Sequence, residues 1–395
     1  MKNFVFHNAT KLIFGEGTIS KIGEEIKKEG IKKVLLHYGG GSIKKNGVYE
    51  QVINSLKENN IEWVEVSGVK PNPRLSKVYE GIKVAKDNNV EGILAVGGGS
   101  VIDSAKAIAG GYYYDGDIWD AYSGKYAISK ALPLFTVLTL SATGSEMNGN
   151  SVITKEETKQ KWSTSSKALY PKVSIIDPTV QYTLPTNQTV NGAVDAISHV
   201  MEFYFDGTSG NEIQSQLAEG IIRTVINSTE ILLENPKDYD ARSNLAWSAT
   251  LALNGLLGAG SSGGDWASHA LEHSVSALFD IAHGAGLAII FPAWLEYVKN
   301  ENIDRFDRFA KEIFSIDTGN PGIDANLGIQ ALKEWYKKIG QPISLKEIGA
   351  KEEDIERLVE NAVQMSPMGK LKKLEEKDIR EIYKIAYENK LLFAR

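Results

Sequence analysis

Histidine is the residue type to follow in this chain of 395 residues, because three of its six histidines, His269, His273 and His283, fall in one short stretch. His269 and His273 stand four apart, which on a helix places them one above the other on the same face. His283 lies well beyond His269 in sequence, about 21 Å away along one straight helix. A shared ion therefore requires the chain to fold back between them, and Phe279-Asp280-Ile281 with Gly284 allows that break. His199 lies upstream, four residues after Asp195, again at one-face spacing. One such pair alone is more often packing than ligation, but two pairs and a third histidine before a glycine turn favour a metal. A nitrogen-rich, thiolate-free set suits Fe, Zn, Co or Ni and not Mg or Ca.

Elements must deliver these residues, and the sequence divides into two kinds of element. Up to Pro185, short apolar runs alternate with amphipathic stretches, the pattern of a doubly wound α/β unit with a mostly parallel sheet. Strands are expected at Lys33–Tyr38, Ile61–Val66, Gly92–Val96, Leu134–Leu140 and near Val173, with helices at Ile19–Glu29, Val48–Asn59, Val78–Asn89 and Val101–Ala109. Beyond Pro185 the segments are long and helical: Asn187–Tyr204, Ile213–Asn227, Ala241–Leu257, the histidine stretch and several more. The expected domains are thus 1–185, α/β and dinucleotide-binding, and 186–395, all-helical and carrying the metal and substrate.

Composition excludes several classes. The net charge of −6 offers no basic excess for nucleic acid. No apolar run reaches the roughly 18 residues of a membrane span, and the first residues lack the apolar core of a secretory signal. There are no cysteines, so disulfides, thiolate sites and a Cys nucleophile are excluded, and a cytoplasmic setting is expected.

Two Gly-Gly-Gly-Ser elements, Gly39–Ser42 and Gly97–Ser100, each follow a strand and precede a helix. Glycines let a phosphate approach the backbone, and the helix N-terminus offers free N–H groups and a positive dipole end. Neither fits G-x-G-x-x-G, so the usual dinucleotide fingerprint is absent. No acid follows Tyr38, whereas Ser42, Lys44 and Lys45 are close by, which favours NADP(H) over NAD(H).

The run Gly97–Asp103, the segment Leu138–Glu146, Asp195-x3-His199 and His269-x3-His273-x9-His283-Gly284 together resemble the iron-containing (group III) alcohol dehydrogenases. Tyr38–Lys45 and Asp265-Trp266-Ala267 are most similar to the butanol dehydrogenase and NADPH-dependent aldehyde reductase branch. The resemblance covers essentially the whole chain. It implies Asp195, His199, His269 and His283 as ligands of one divalent ion, Fe(II) first and Zn(II) second, with His273 as a proton-relay or positioning residue. It implies Gly97, Gly98, Gly99 and Ser100 at the pyrophosphate and Asp103, Thr139, Thr143, Asn148 and Lys161 on the nicotinamide and ribose side. Gly39, Gly40, Ser42 and Lys44 would meet the adenosine phosphate, with Asn72 nearby. The implied reaction is hydride transfer between NAD(P)(H) and small aliphatic alcohols or aldehydes, the metal acting as a Lewis acid on the substrate oxygen. Three neutral imidazoles and one carboxylate would leave that centre net positive. The resemblance also implies a homodimer, with Phe4–Phe6 and Lys11–Phe14 available for pairing.

Rival readings remain at this stage. His269-Ala270-Leu271-Glu272-His273 spells the H-x-x-E-H signature of one metallopeptidase class, with Glu272 as base. A lyase resembling dehydroquinate synthase would keep the nucleotide and metal sites but change the reaction. A non-catalytic nucleotide sensor would keep the fold and leave an intact metal set unexplained.

Overall fold

The computed structural model describes residues 1–391, and the chain divides into two compact units. One comprises His7–Pro185 together with Glu234–Asn254; the other comprises Met1–Phe6, Thr186–Leu233 and the chain from Gly255 onward. The division therefore departs from a single cut at Pro185, because the segment from Glu234 to Asn254 returns to the α/β unit. No shift in composition marks that return.

The α/β unit is built on β1 (Lys11–Phe14), β2 (Lys33–Tyr38), β3 (Glu62–Val66), β4 (Gly92–Gly97), β5 (Leu134–Leu138) and β8 (Val173–Ile176). A separate antiparallel hairpin pairs β6 (Asn150–Lys155) with β7 (Gln160–Ser165). The six strands lie in the order β1-β8-β5-β4-β2-β3 and every pairing is parallel. Strands β4, β5 and β8 are buried throughout, which is why they read as continuous apolar runs rather than as alternation. Leu35, Ile93 and Ala95 face one core with helices Leu75–Asp87 and Gly99–Gly111. Val34, Leu36, Leu94 and Val96 face the other with helices Ile22–Lys28 and Val48–Glu58. From β2 the chain runs outward to β3, then returns to β4 on the opposite side of β2. The order thus reverses between β2 and β4, and open parallel sheets bind ligands outside the carboxyl ends of their strands at such a point. Both glycine loops leave the sheet there.

The other unit is helical: Thr186–Tyr204, Glu212–Glu234, Ala267–Phe279, His283–Val298, Ile303–Phe314, Pro321–Lys338, Asp354–Ala362 and Glu376–Glu388. Among its described residues the one strand-like contact is an isolated bridge, Met368 to Leu374. His283–Val298 is its central helix, with Leu287 through Phe291 and Ala293 through Leu295 inaccessible to solvent. It packs on Thr186–Tyr204, Ala267–Phe279 and Glu376–Glu388. No described helix is long and apolar enough to cross a membrane.

Candidate metal centre and nucleotide loops

Three helices of the helical unit converge on the centre. Thr186–Tyr204 carries Asp195, His199 and Glu202, and Ala267–Phe279 carries His269, Glu272 and His273. The latter helix stops because Asp280 takes a left-handed conformation (φ 52°, ψ 37°). Ala282 is extended, and His283 opens the next helix. That reversal brings His283 back to the site: its ring centroid lies 5.3 Å from that of His269, and its Nε2 lies 3.6 Å from Asp195 Oδ1. His199 Nε2 is also 3.6 Å from Asp195 Oδ1, and the His199 and His269 rings stack at 4.8 Å. One ligand atom each from Asp195, His199 and His269 fall within 4.8 Å of one another.

Two glycines make the approach feasible. A Cβ on Gly284 would overlap the backbone carbonyl of Asn191, and one on Gly286 would overlap the Glu272 carboxylate. The His-Gly-Ala-Gly sequence is thus a packing requirement as well as a turn.

The imidazoles are oriented by carboxylates. His269 Nδ1 is 2.6 Å from Glu202 Oε1, while the buried His269 Nε2 and His199 Nδ1 have no hydrogen-bond partner. A buried ring nitrogen without a partner costs free energy that an ion in this position removes. Burial, and then the neighbouring His269 and His283, hold the His199 imidazole well below its ordinary pKa, so it is the neutral form that binds metals. His283 Nδ1 is held by Glu272, which also accepts from Ser276 Oγ. These residues fit a divalent ion of nitrogen preference. The expectation of a net positive centre counted Asp195 alone. The structure sets two further fully buried carboxyl groups, Glu202 and Glu272, against the imidazoles, so that count does not hold.

Glu202 does more than orient His269. It accepts from the Trp266 amide at 2.5 Å and from Ser268 Oγ, and so satisfies the first turn of the Ala267–Phe279 helix. Trp266 reaches it from a left-handed conformation (φ 66°), costly for so bulky a residue. Its indole lies 5.3 Å from the His269 ring. Asp265 beside it accepts the Lys370 and Leu371 amides, at 2.6 and 2.8 Å. Burial, then the Glu202 charge, push its carboxyl up to about 6. His273 is buried one turn beyond His269, its ring 5.5 Å from that of His283. Sequence spacing could have indicated Glu202, three residues after His199; nothing in the spacing shows that Glu272 holds His283.

In the α/β unit, Gly97 ends β4, Gly98 precedes the Gly99–Gly111 helix, and Ser100 lies in its first turn. A Cβ on Gly99 would overlap Thr143, and one on Gly97 would overlap Val101. Thr139 N donates to Gly97 O at 3.0 Å, joining the loops after β4 and β5. Gly39 and Gly40 are roomier, with no atom within 3.4 Å of an added Cβ. Ser42 and Lys44 form a short helical turn behind Gly41. Asn72 is buried in a left-handed turn (φ 53°). Asp103 and Asn148 already have internal partners. Asp103 accepts from Ser145 Oγ at 2.6 Å and Val152 N at 3.0 Å, and Asn148 Oδ1 accepts from Lys106 Nζ at 3.1 Å. Burial raises the Asp103 carboxyl and pushes Lys106 down to about 8. Lys161 is buried in β7 opposite Thr154.

Comparison with known proteins gives the family. The model of the iron-containing alcohol dehydrogenase family matches residues 9–178, and the C-terminal model of the Fe-containing family matches residues 189–387. The chain is 44% identical to NADH-dependent butanol dehydrogenase A of Clostridium acetobutylicum, covering 98% of this chain and 100% of that protein. It is 37% identical to the NADPH-dependent aldehyde reductase YqhD of Escherichia coli, over 88% of this chain and 90% of that one. The crystal structure of NADH-dependent butanol dehydrogenase A from Thermotoga maritima superposes with a TM-score of 0.96 at 61% identity, covering 98% and 99% of the two chains. With its histidine centre and paired glycine loops, the chain belongs to the iron-containing alcohol dehydrogenases, in the branch of the butanol dehydrogenases and aldehyde reductases, and is an oxidoreductase.

Proposed function

We propose that the chain interconverts small aliphatic aldehydes and primary alcohols of butanal and butanol type, with NADP(H) favoured over NAD(H). Asp195, His199, His269 and His283 would hold one Fe(II), and Zn(II) fits the same donors. The observation that carries this reading is the return of His283 to Asp195 beside the stacked His199 and His269. When bound, the ion supplies Lewis acidity toward the substrate oxygen, and the nicotinamide supplies or accepts the hydride.

The chain's own residues do the rest. Glu202 and Glu272 fix the tautomers and ring planes of His269 and His283. His273, on the helix that carries His269, passes a proton between the substrate oxygen and solvent. Gly97, Gly98, Gly99 and Ser100 bind pyrophosphate at a helix N-terminus. Thr139, Thr143 and Lys161 serve the nicotinamide side, with Asp103 and Asn148 holding that region in shape. Gly39, Gly40, Ser42 and Lys44 receive the adenosine end, near Asn72. The peptidase reading is disfavoured because Glu272 is fully buried and engaged with His283 and Ser276, out of position for a general base. A homodimer is supported by the exposed Phe4, Val5 and Phe6, which precede edge strand β1 in the chain. A cytoplasmic setting suits a cysteine-free nicotinamide enzyme.

The test is an aldehyde panel assayed with NADPH and NADH on iron-reconstituted protein, beside His283→Ala. Butanal-like substrates should turn over, and the variant should lose both metal and activity. Stoichiometric metal in His283→Ala would refute the ligand assignment.

A further inference from the structure

The cofactor loop has an acidic neighbour that no local sequence spacing announces. Glu65 lies near the carboxyl end of β3, the edge strand beside β2. Its carboxylate accepts from Tyr38 Oη at 2.7 Å and from Tyr49 Oη at 2.5 Å. Lys44 Nζ stands 3.9 Å from Glu65 Oε2 and over the rings of Tyr49 and Tyr38, at 4.6 and 5.3 Å. Tyr38 is the last residue of β2, so this cluster is continuous with the loop opened by Gly39. The cation of that loop is therefore held by a carboxylate and two aromatic faces.

A 2′-phosphate differs from a 2′-hydroxyl by close to two negative charges. At a strand end beside the phosphate-binding strand, fixed charge decides between the two nucleotides. Lys44 attracts the phosphate and Glu65 repels it; at 3.9 Å apart, with both side chains partly exposed, their fields largely cancel beyond the first contact. We propose that Glu65 is a specificity-determining residue of the cofactor site: by holding and offsetting Lys44 it limits the advantage of NADPH and keeps NADH usable. This rests on the reading that the Gly39–Lys44 loop meets the adenosine end.

The test measures binding of NADPH, NADH, 2′-phospho-ADP-ribose and ADP-ribose to the full chain by titration calorimetry, so the readout is independent of turnover. Glu65→Gln should raise the ratio Kd(NADH)/Kd(NADPH) by about tenfold at low salt, with a parallel change for the two fragments. The gain should shrink near 0.5 M salt. Lys44→Met should lower the same ratio. If Lys44→Met lowers it while Glu65→Gln leaves it unchanged, the proposal falls and the loop assignment stands. If Glu65→Gln weakens or strengthens all four ligands alike, the residue acts on the fold and the proposal also falls. If neither variant nor Gly39→Asp moves the ratio, the loop assignment itself is wrong.

Discussion

Glu202 and Glu272 each occupy the Nδ1 side of a histidine, His269 and His283 respectively, leaving Nε2 of each ring for other work. His273 has a different task in the reaction proposed above. In the proposed centre three imidazoles and Asp195 supply four protein donors, and a catalytic metal must keep a position open for substrate oxygen. His273→Ala is therefore expected to retain full metal content by elemental analysis while kcat falls about 10²–10⁴-fold. Metal loss equal to that of His269→Ala would make His273 a ligand instead. Trp266 illustrates what spacing cannot convey. Its left-handed backbone and its contact with His269 depend on Glu202, which arrives from another helix.

Among the elements, the close crossing of His283–Val298 with Thr186–Tyr204 depends on Gly284, where an added Cβ meets the backbone of Asn191 rather than a movable side chain. Gly284→Ala should cost about 1–3 kcal/mol by chemical denaturation and weaken metal retention, because the helix that begins at His283 must shift. An unchanged unfolding midpoint would show that the helices can part freely. Several elements were legible in the sequence because packing and local pattern agree. Lys33–Tyr38 matches its expected bounds, and Val48–Glu58 and Gly92–Gly97 lie within one residue of theirs. Others were not. Glu212–Glu234 runs past the expected Asn227, because Thr229 Oγ1 returns to Val225 O at 2.6 Å within the helix and Leu232 is buried. Tyr239–Ala252 stops short of Leu257, where Leu253 leaves helical geometry (φ −140°) and Gly255 turns left-handed. Spacing singled out Asp195, His199, His269, His273 and His283 together, the family resemblance implied which four are donors, and the hold of Glu272 on His283 became visible only in three dimensions.

For the whole molecule, acid stability has a traceable source in the α/β unit. His37 is fully buried in β2, bonded to Val66 O at 3.0 Å and Ser104 Oγ at 2.9 Å, and burial pushes its imidazole down to about 4. Between about pH 6.5 and 4 the unfolded chain binds a proton that the folded one does not, so this contribution to stability falls as pH drops through that window and levels off below it. At pH 4.5 the loss relative to pH 7 amounts to roughly 2–3 kcal/mol. Denaturant midpoints at the two pH values should show a correspondingly smaller acid loss in His37→Asn, and equal losses in both proteins would contradict the assignment.

The return of Glu234–Asn254 to the α/β unit has a consequence for synthesis on the ribosome. The chain passes from one unit to the other between Phe6 and His7, Pro185 and Thr186, Leu233 and Glu234, and Asn254 and Gly255. Thr250 Oγ1 donates to Glu146 Oε1 at 2.6 Å, and Leu253 O accepts from Asn148 Nδ2 at 3.2 Å. The α/β unit is therefore complete, with Thr250 on Glu146, only once the segment ending at Asn254 has emerged. Far earlier in the chain, Met1 N donates to Gly210 O at 3.0 Å, and the Lys2 amide donates to Gly260 O at 2.9 Å. Met1 and Lys2 are thus seated only after the chain around Gly210 and Gly260 has emerged, and a fragment cut at Pro185 would lack part of its own interior.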